Sequence, residues 1–145
     1  MWTELLEKLK AILTANENIQ EVYDYVPDRF NGDPVAIITP SENDNDYHTT
    51  NENLRVYSFS INLYVSRTAK TNKVADANMR ILVNSVLDDY DKNWNLSTTV
   101  DPTGYTFLNL FAVPSAWGYS GEKDEYRASE IIVRARVAVD VNQIT

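Results

Sequence analysis

EIIVRARVAVDV, residues 130–141, is the stretch that decides the fold. Ile131, Val133, Ala135, Val137, Val139 and Val141 alternate with Arg134, Arg136 and Asp140, the period of two that sends successive side chains to opposite faces of a β-strand. One face belongs against a core. The other presents Arg134 and Arg136, which belong either to solvent or to a contact between subunits.

A second stretch obeys the same rule. In residues 54–66, Tyr57, Phe59, Ile61, Leu63 and Val65 share one face, and Ser58, Ser60, Asn62 and Ser66 the other. This strand is about twice the usual length. Between the two, Ala75, Met79, Leu82, Val83, Val86, Leu87 and Tyr90 follow the 3.6-residue period, with Thr71 or Asn72 placed to cap the start, which predicts a main helix over 72–91. The predicted core joins these elements: Phe59, Ile61, Leu63, Met79, Val83, Val86, Val133 and Val137.

Working outward, Leu5, Leu6, Leu9, Ile12 and Leu13 predict a short amphipathic helix over 3–15. Val22 to Val26 suits a strand closed by Pro27. After the turn residues Asn31, Gly32 and Asp33, Val35 to Ile38 suits another, and the two read as a hairpin. Residues 41–53, SENDNDYHTTNEN, hold almost nothing apolar and read as a long mobile loop. Residues 105–113 are apolar on both faces, with Tyr105, Phe107, Phe111 and Val113 against Leu108, Leu110 and Ala112. That pattern predicts a central strand ended or bulged at Pro114. The whole reads as one α+β domain over residues 1–145, in the order α-β-β-β-α-β-β, with a mainly antiparallel twisted sheet packed against one long helix.

Composition narrows the function. The 145 residues include 13 Lys plus Arg against 21 Asp plus Glu, a net charge of -8, the wrong sign for neutralising a phosphate backbone. Tight DNA binding is therefore disfavoured, and such a surface would suit a protein that DNA only passes as cargo. There is no cysteine, so disulfides, thiolate nucleophiles and Cys-ligated zinc are excluded. No apolar run approaches the roughly 18 residues of a membrane span, and the charged opening residues do not resemble a signal peptide.

Candidate chemistry fails on inspection. His48, the single histidine, sits among Asp44 and Asp46 with no nucleophile in a suitable context. Glu42, Asp44 and Asp46 alternate as calcium ligands do, but Tyr47 occupies the place of the turn glycine and Asn53 that of the closing glutamate. The four glycines form no phosphate-binding cluster, and Asp88, Asp89 and Asp91 read as a solvated helix face. No enzyme, metal or cofactor is expected. Large aromatics placed in or beside turns, Trp94, Trp117, Tyr119 and Tyr126, instead suggest contact surface. The candidate interface comprises Asp44, Asp46, Tyr47, Trp117, Tyr119, Arg134 and Arg136.

Four segments together, TELLEKLKAILTAN (3–16), SENDNDYHTTNEN before NLRVYSFSINLYVS (41–66), NKVADANMRILVNSVLDDY (72–90) and YRASEIIVRARVAVDV (126–141), resemble the tail terminator proteins of long-tailed bacteriophages, also called tail completion or head-tail joining proteins. The likeness covers nearly the whole chain and lies in element order, length and texture. It implies a virion protein, assembled in the host cytoplasm. Such a protein forms a hexameric ring at the head-proximal end of the tail tube, stops tube polymerisation and meets a neck or connector protein. A neighbouring neck protein of the same virion and a small acidic regulator binding a host protein are the competing expectations.

Overall fold

The computed structural model describes residues 1–47, 52–68, 71–96, 102–121, 123 and 125–143, with 43–47 described as backbone. Helix α1 (Trp2–Thr14) and helix α2 (Asn72–Lys92) lie on the same face of a five-stranded sheet. Its strands are β1 (Glu21–Tyr23), β2 (Val35–Tyr47), β3 (Glu52–Ser66), β4 (Tyr105–Ser120) and β5 (Tyr126–Asp140). Their spatial order is β1-β2-β3-β5-β4. The α+β class and the chain order match the sequence reading, and every strand pair is antiparallel except β1 with β2.

Leu5, Leu9 and Leu13, four residues apart, turn one stripe of α1 onto the sheet. In α2 the Thr71 hydroxyl accepts a hydrogen bond from the Val74 N–H at 3.3 Å, capping the helix at the predicted place. Ala75, Met79, Leu82, Val83, Val86 and Tyr90 are then buried. They meet Tyr57, Phe59, Ile61, Leu63 and Val65 of β3 and Ile131, Val133, Ala135, Val137 and Val139 of β5, on one face of the sheet, with Tyr57 opposite Ala135, Phe59 opposite Val133 and Ile61 opposite Ile131. All eight predicted core residues belong to this cluster. The Tyr90 hydroxyl donates to the Leu9 carbonyl at 3.0 Å, tying the two helices together inside it. Burial, followed by the nearby Asp89 charge, pushes that phenol's pKa well above the ordinary 10.0, so it remains a donor.

Three expectations need correction. The first two strands form a parallel pair, Glu21 beside Val35 and Tyr23 beside Ile37, rather than a hairpin. The intervening segment carries Phe30 against Tyr23, Tyr64 and Tyr126, with ring centroids 6.4, 5.1 and 5.0 Å away. A tight turn would have left that ring in water. It forms a second, smaller apolar cluster with Tyr23, Val35 and Ile37 on the face away from the helices.

Next, of the loop expected over 41–53, residues 41–47 are the distal half of β2, paired with β3 from Asn43 opposite Tyr57 to Tyr47 opposite Asn53 beyond a bulge after Pro40, residues 52 and 53 open β3, and 48–51 lie outside the described residues. Backbone pairing needs no apolar side chains. Third, β4 is an edge strand, not a central one. It continues past Pro114 to Ser120, accommodating the proline at one of its two bulges. The short helix α1 joins the long helix α2 over the same face of the sheet.

Leu63→Ala, which removes a fully buried side chain beneath the helices, is expected to cost about 2–5 kcal/mol in chemical denaturation. Tyr90→Phe, which removes one buried hydrogen bond and keeps the ring, should cost about 1 kcal/mol. Equal losses from the two would contradict this packing.

Candidate assembly surface

The helices cover one face of the sheet, so the sheet itself offers its other face and its edges for contact. On the open face the centre is polar. The Ser60 hydroxyl donates to the Glu130 carboxylate at 2.6 Å, and the Asn62 amide donates to Ser60 Oγ at 3.3 Å. Beside them Arg134 reaches across Ser58 toward Glu42, 3.8 Å away. Ser58 is only 1% exposed there, and its hydroxyl has no hydrogen-bond partner among the described residues.

The edge strand β4 is of a different character. Its sixteen residues, YTFLNLFAVPSAWGYS, contain no charged side chain. Phe111 and Val113 are each 40% exposed, Trp117 47% and Tyr119 50%. They do not share a face: Phe111 and Val113 pair with Arg134 and Ile132 on the open side, whereas Trp117 and Tyr119 pair with Ser129 and Arg127 on the helix side. The margin of the sheet is therefore apolar above and below.

Near its end the margin acquires cations. The Arg127 guanidinium lies 4.8 Å from the Tyr119 ring centroid and 5.7 Å from that of Trp117, while Arg67 lies 4.6 Å from Tyr119. Arg127 is fixed by Asp76 of α2 at 2.6 Å and by donation to the Gly118 carbonyl at 2.6 Å. Trp, Tyr and Arg so arranged are the residue types that dominate interface energetics. Elsewhere on the strand, the Leu110 N–H donates to the Trp94 carbonyl at 2.8 Å, so the turn after α2 touches the edge at that point.

The candidate residues from the sequence do not converge on one patch. Asp44, Asp46 and Tyr47 are backbone positions of β2, toward the sheet's other edge, and His48 lies outside the described residues. Arg134 and Arg136 stand on the open face of β5. Trp117 and Tyr119 stand on β4, in a strand rather than a loop, and Tyr126 opens β5, packed on Phe30. Sequence reasoning missed Phe111 and Val113 as surface residues, and Arg67 and Arg127 as partners of the aromatics. The signal for the first pair was present: two apolar faces in a strand mean either burial on both sides or a strand held for a neighbour.

Among the described residues no group of three His, Asp or Glu side chains is placed to hold a metal ion, and no helix is long and apolar enough to cross a membrane. No protein-family model and no curated protein matches the chain. Among solved structures, the fold is similar to that of a chain in the virion of a native gene transfer agent particle. That chain is 16% identical with a TM-score of 0.61, over 95% of this chain and 94% of that one. The likeness is one of fold.

Because the Ser58 hydroxyl is buried without a partner, Ser58→Ala should leave stability unchanged or slightly raised. Arg134→Ala, which breaks a half-exposed pair, should cost less than about 1 kcal/mol. A loss above about 2 kcal/mol on Ser58→Ala in thermal denaturation would show that the hydroxyl is satisfied.

Proposed function

We propose that the protein is a non-catalytic structural component of a phage-like virion, a tail terminator. In this reading it acts as one domain, forms a ring at the head-proximal end of the tail tube, ends tube polymerisation and joins the tail to a neck or connector protein. The observation that supports this most directly is β4: sixteen uncharged residues on a sheet edge, apolar on both faces. Natural sheets ordinarily protect such an edge with lysine, a short length or a covering element. Among the described residues, Pro114 and the contact from Trp94 interrupt it only locally.

An edge that is apolar on both sides is suited to receiving another strand or margin that wraps it, rather than a partner lying flat on one face. Repetition of that contact between copies gives a ring when it closes. The likeness to a chain of a gene transfer agent virion over nearly the full length supports a virion role, and the sequence resemblance adds the terminator position and a count of six. A net charge of -8 suits a conduit that DNA passes without adhering.

Electron microscopy of particles produced without this protein tests the reading. Overlong tubes or tails detached from heads are expected. Tubes of normal length still joined to heads would overturn it, and normal tubes ending in an incomplete neck would assign the protein to the neck instead.

A further inference from the structure

The strand registers align the two edges of the sheet. Glu21 pairs with Val35, Val35 with Tyr64, Tyr64 with Ala128 and Ala128 with Gly118. The next row runs Val22, Ala36, Leu63, Ser129, Trp117, and the one after it Tyr23, Ile37, Asn62, Glu130, Ala116. Strand β1 therefore stands at the same height as residues 116–118 of β4, on the opposite margin. When unlike edges of a subunit meet head to tail, a difference in height becomes a rise per copy and builds a helix, whereas equal height permits a closed ring. Directions also agree: β1 is parallel to β2, and three antiparallel steps follow, so β1 and β4 run oppositely and copies standing upright side by side would present an antiparallel pair.

The chemistry of the two margins is complementary. Residues 17–28, ENIQEVYDYVPD, contain Glu17, Glu21, Asp24 and Asp28 and no Lys or Arg. Asp24 meets Lys10 of α1 at 3.5 Å, but Glu21 is exposed, and Tyr25 and Val26 are 59% and 77% exposed. In this register Glu21 would face Gly118 on the open side of the next copy, and Val22 would face Trp117 on the helix side, where Tyr119 stacks with the Arg67 and Arg127 guanidiniums. Beside these, a recess of about 170 Å³ is lined in part by Ala116, Gly118 and Ala128. Gly118 leaves room for approach, because a Cβ built there meets no heavy atom within 4 Å.

We propose that β1 and residues 116–120 of β4 are the two halves of the contact between copies, each β4 margin being occupied by β1 of a second copy of this chain. The inference rests on the ring reading and adds which edges meet and in what register.

The absence of cysteine makes the test clean. Opposed residues of antiparallel strands hold their Cβ atoms about 4.5–5.5 Å apart, close to the roughly 3.5–4.5 Å that a disulfide spans. Oxidising the Glu21→Cys/Gly118→Cys double variant should give a ladder of covalent multimers ending at the ring size on a non-reducing gel, and neither single variant should give one. Light scattering of the unaltered chain runs in parallel. If that chain assembles and the double variant gives no ladder, the edge assignment fails while the ring reading stands. Dimers from Gly118→Cys alone would show β4 meeting β4 across a two-fold axis and would also overturn it. A chain monomeric at every concentration tested overturns both readings. Independently, Gly118→Trp should keep the circular dichroism of the fold and weaken assembly at least tenfold, and unimpaired assembly of that variant would contradict the proposal.

Discussion

The rest of the structure depends on the ladder between β3 and β5. These strands pair without a register shift from Glu52 opposite Asp140 to Ser66 opposite Tyr126. Phe59 thus sits beside Val133 and Ile61 beside Ile131, both pairs wholly buried under the helices. A slip of one residue would bring Ser58, Ser60 and Asn62 under α1 and α2 and expose the aromatic and branched residues, so the register is fixed by burial. Everything else is added to that pair: α2 between β3 and β4, β2 on one flank, β4 on the other.

Because β3 and β5 are long, the flanking strands inherit length that the core does not use. The distal half of β2 is polar and held by backbone pairing with β3. On the other flank β4 follows β5 for its full span, with two bulges, and carries apolar side chains beyond the area the helices cover. One margin of the molecule is thus rich in carboxylates and the other free of charge but bordered by Arg67 and Arg127. In the proposed ring, that asymmetry favours the meeting of unlike edges over that of like ones.

What the sequence disclosed follows from the same physics. Strands β3 and β5 and helix α2 each bury one face, so their periods are unambiguous, and their core residues could be named individually. Residues 41–47 gave no such signal, because a strand stabilised by ladder hydrogen bonds alone looks like a polar loop. The parallel pairing of β1 with β2 was hidden in Phe30, whose burial against Tyr64 and Tyr126 depends on residues far away in the chain. In β4 the pattern was read correctly as apolar on both sides, but the sequence could not say whether the second cover is the protein's own or a neighbour's. Among the candidate contact residues, Trp117 and Tyr119 proved to lie on this margin. Arg134 is directed toward its own chain's Glu42.

The central claim is that the outer edge of β4 is an assembly surface. Hydrogen exchange across residues 111–120, followed in the free subunit and in the assembled particle, tests it most directly, because amides that point away from β5 gain partners only when the edge is occupied. The account predicts fast exchange of alternate amides in the subunit and strong protection of the same amides after assembly. Exchange that is unchanged on assembly, with the particle intact, would contradict it.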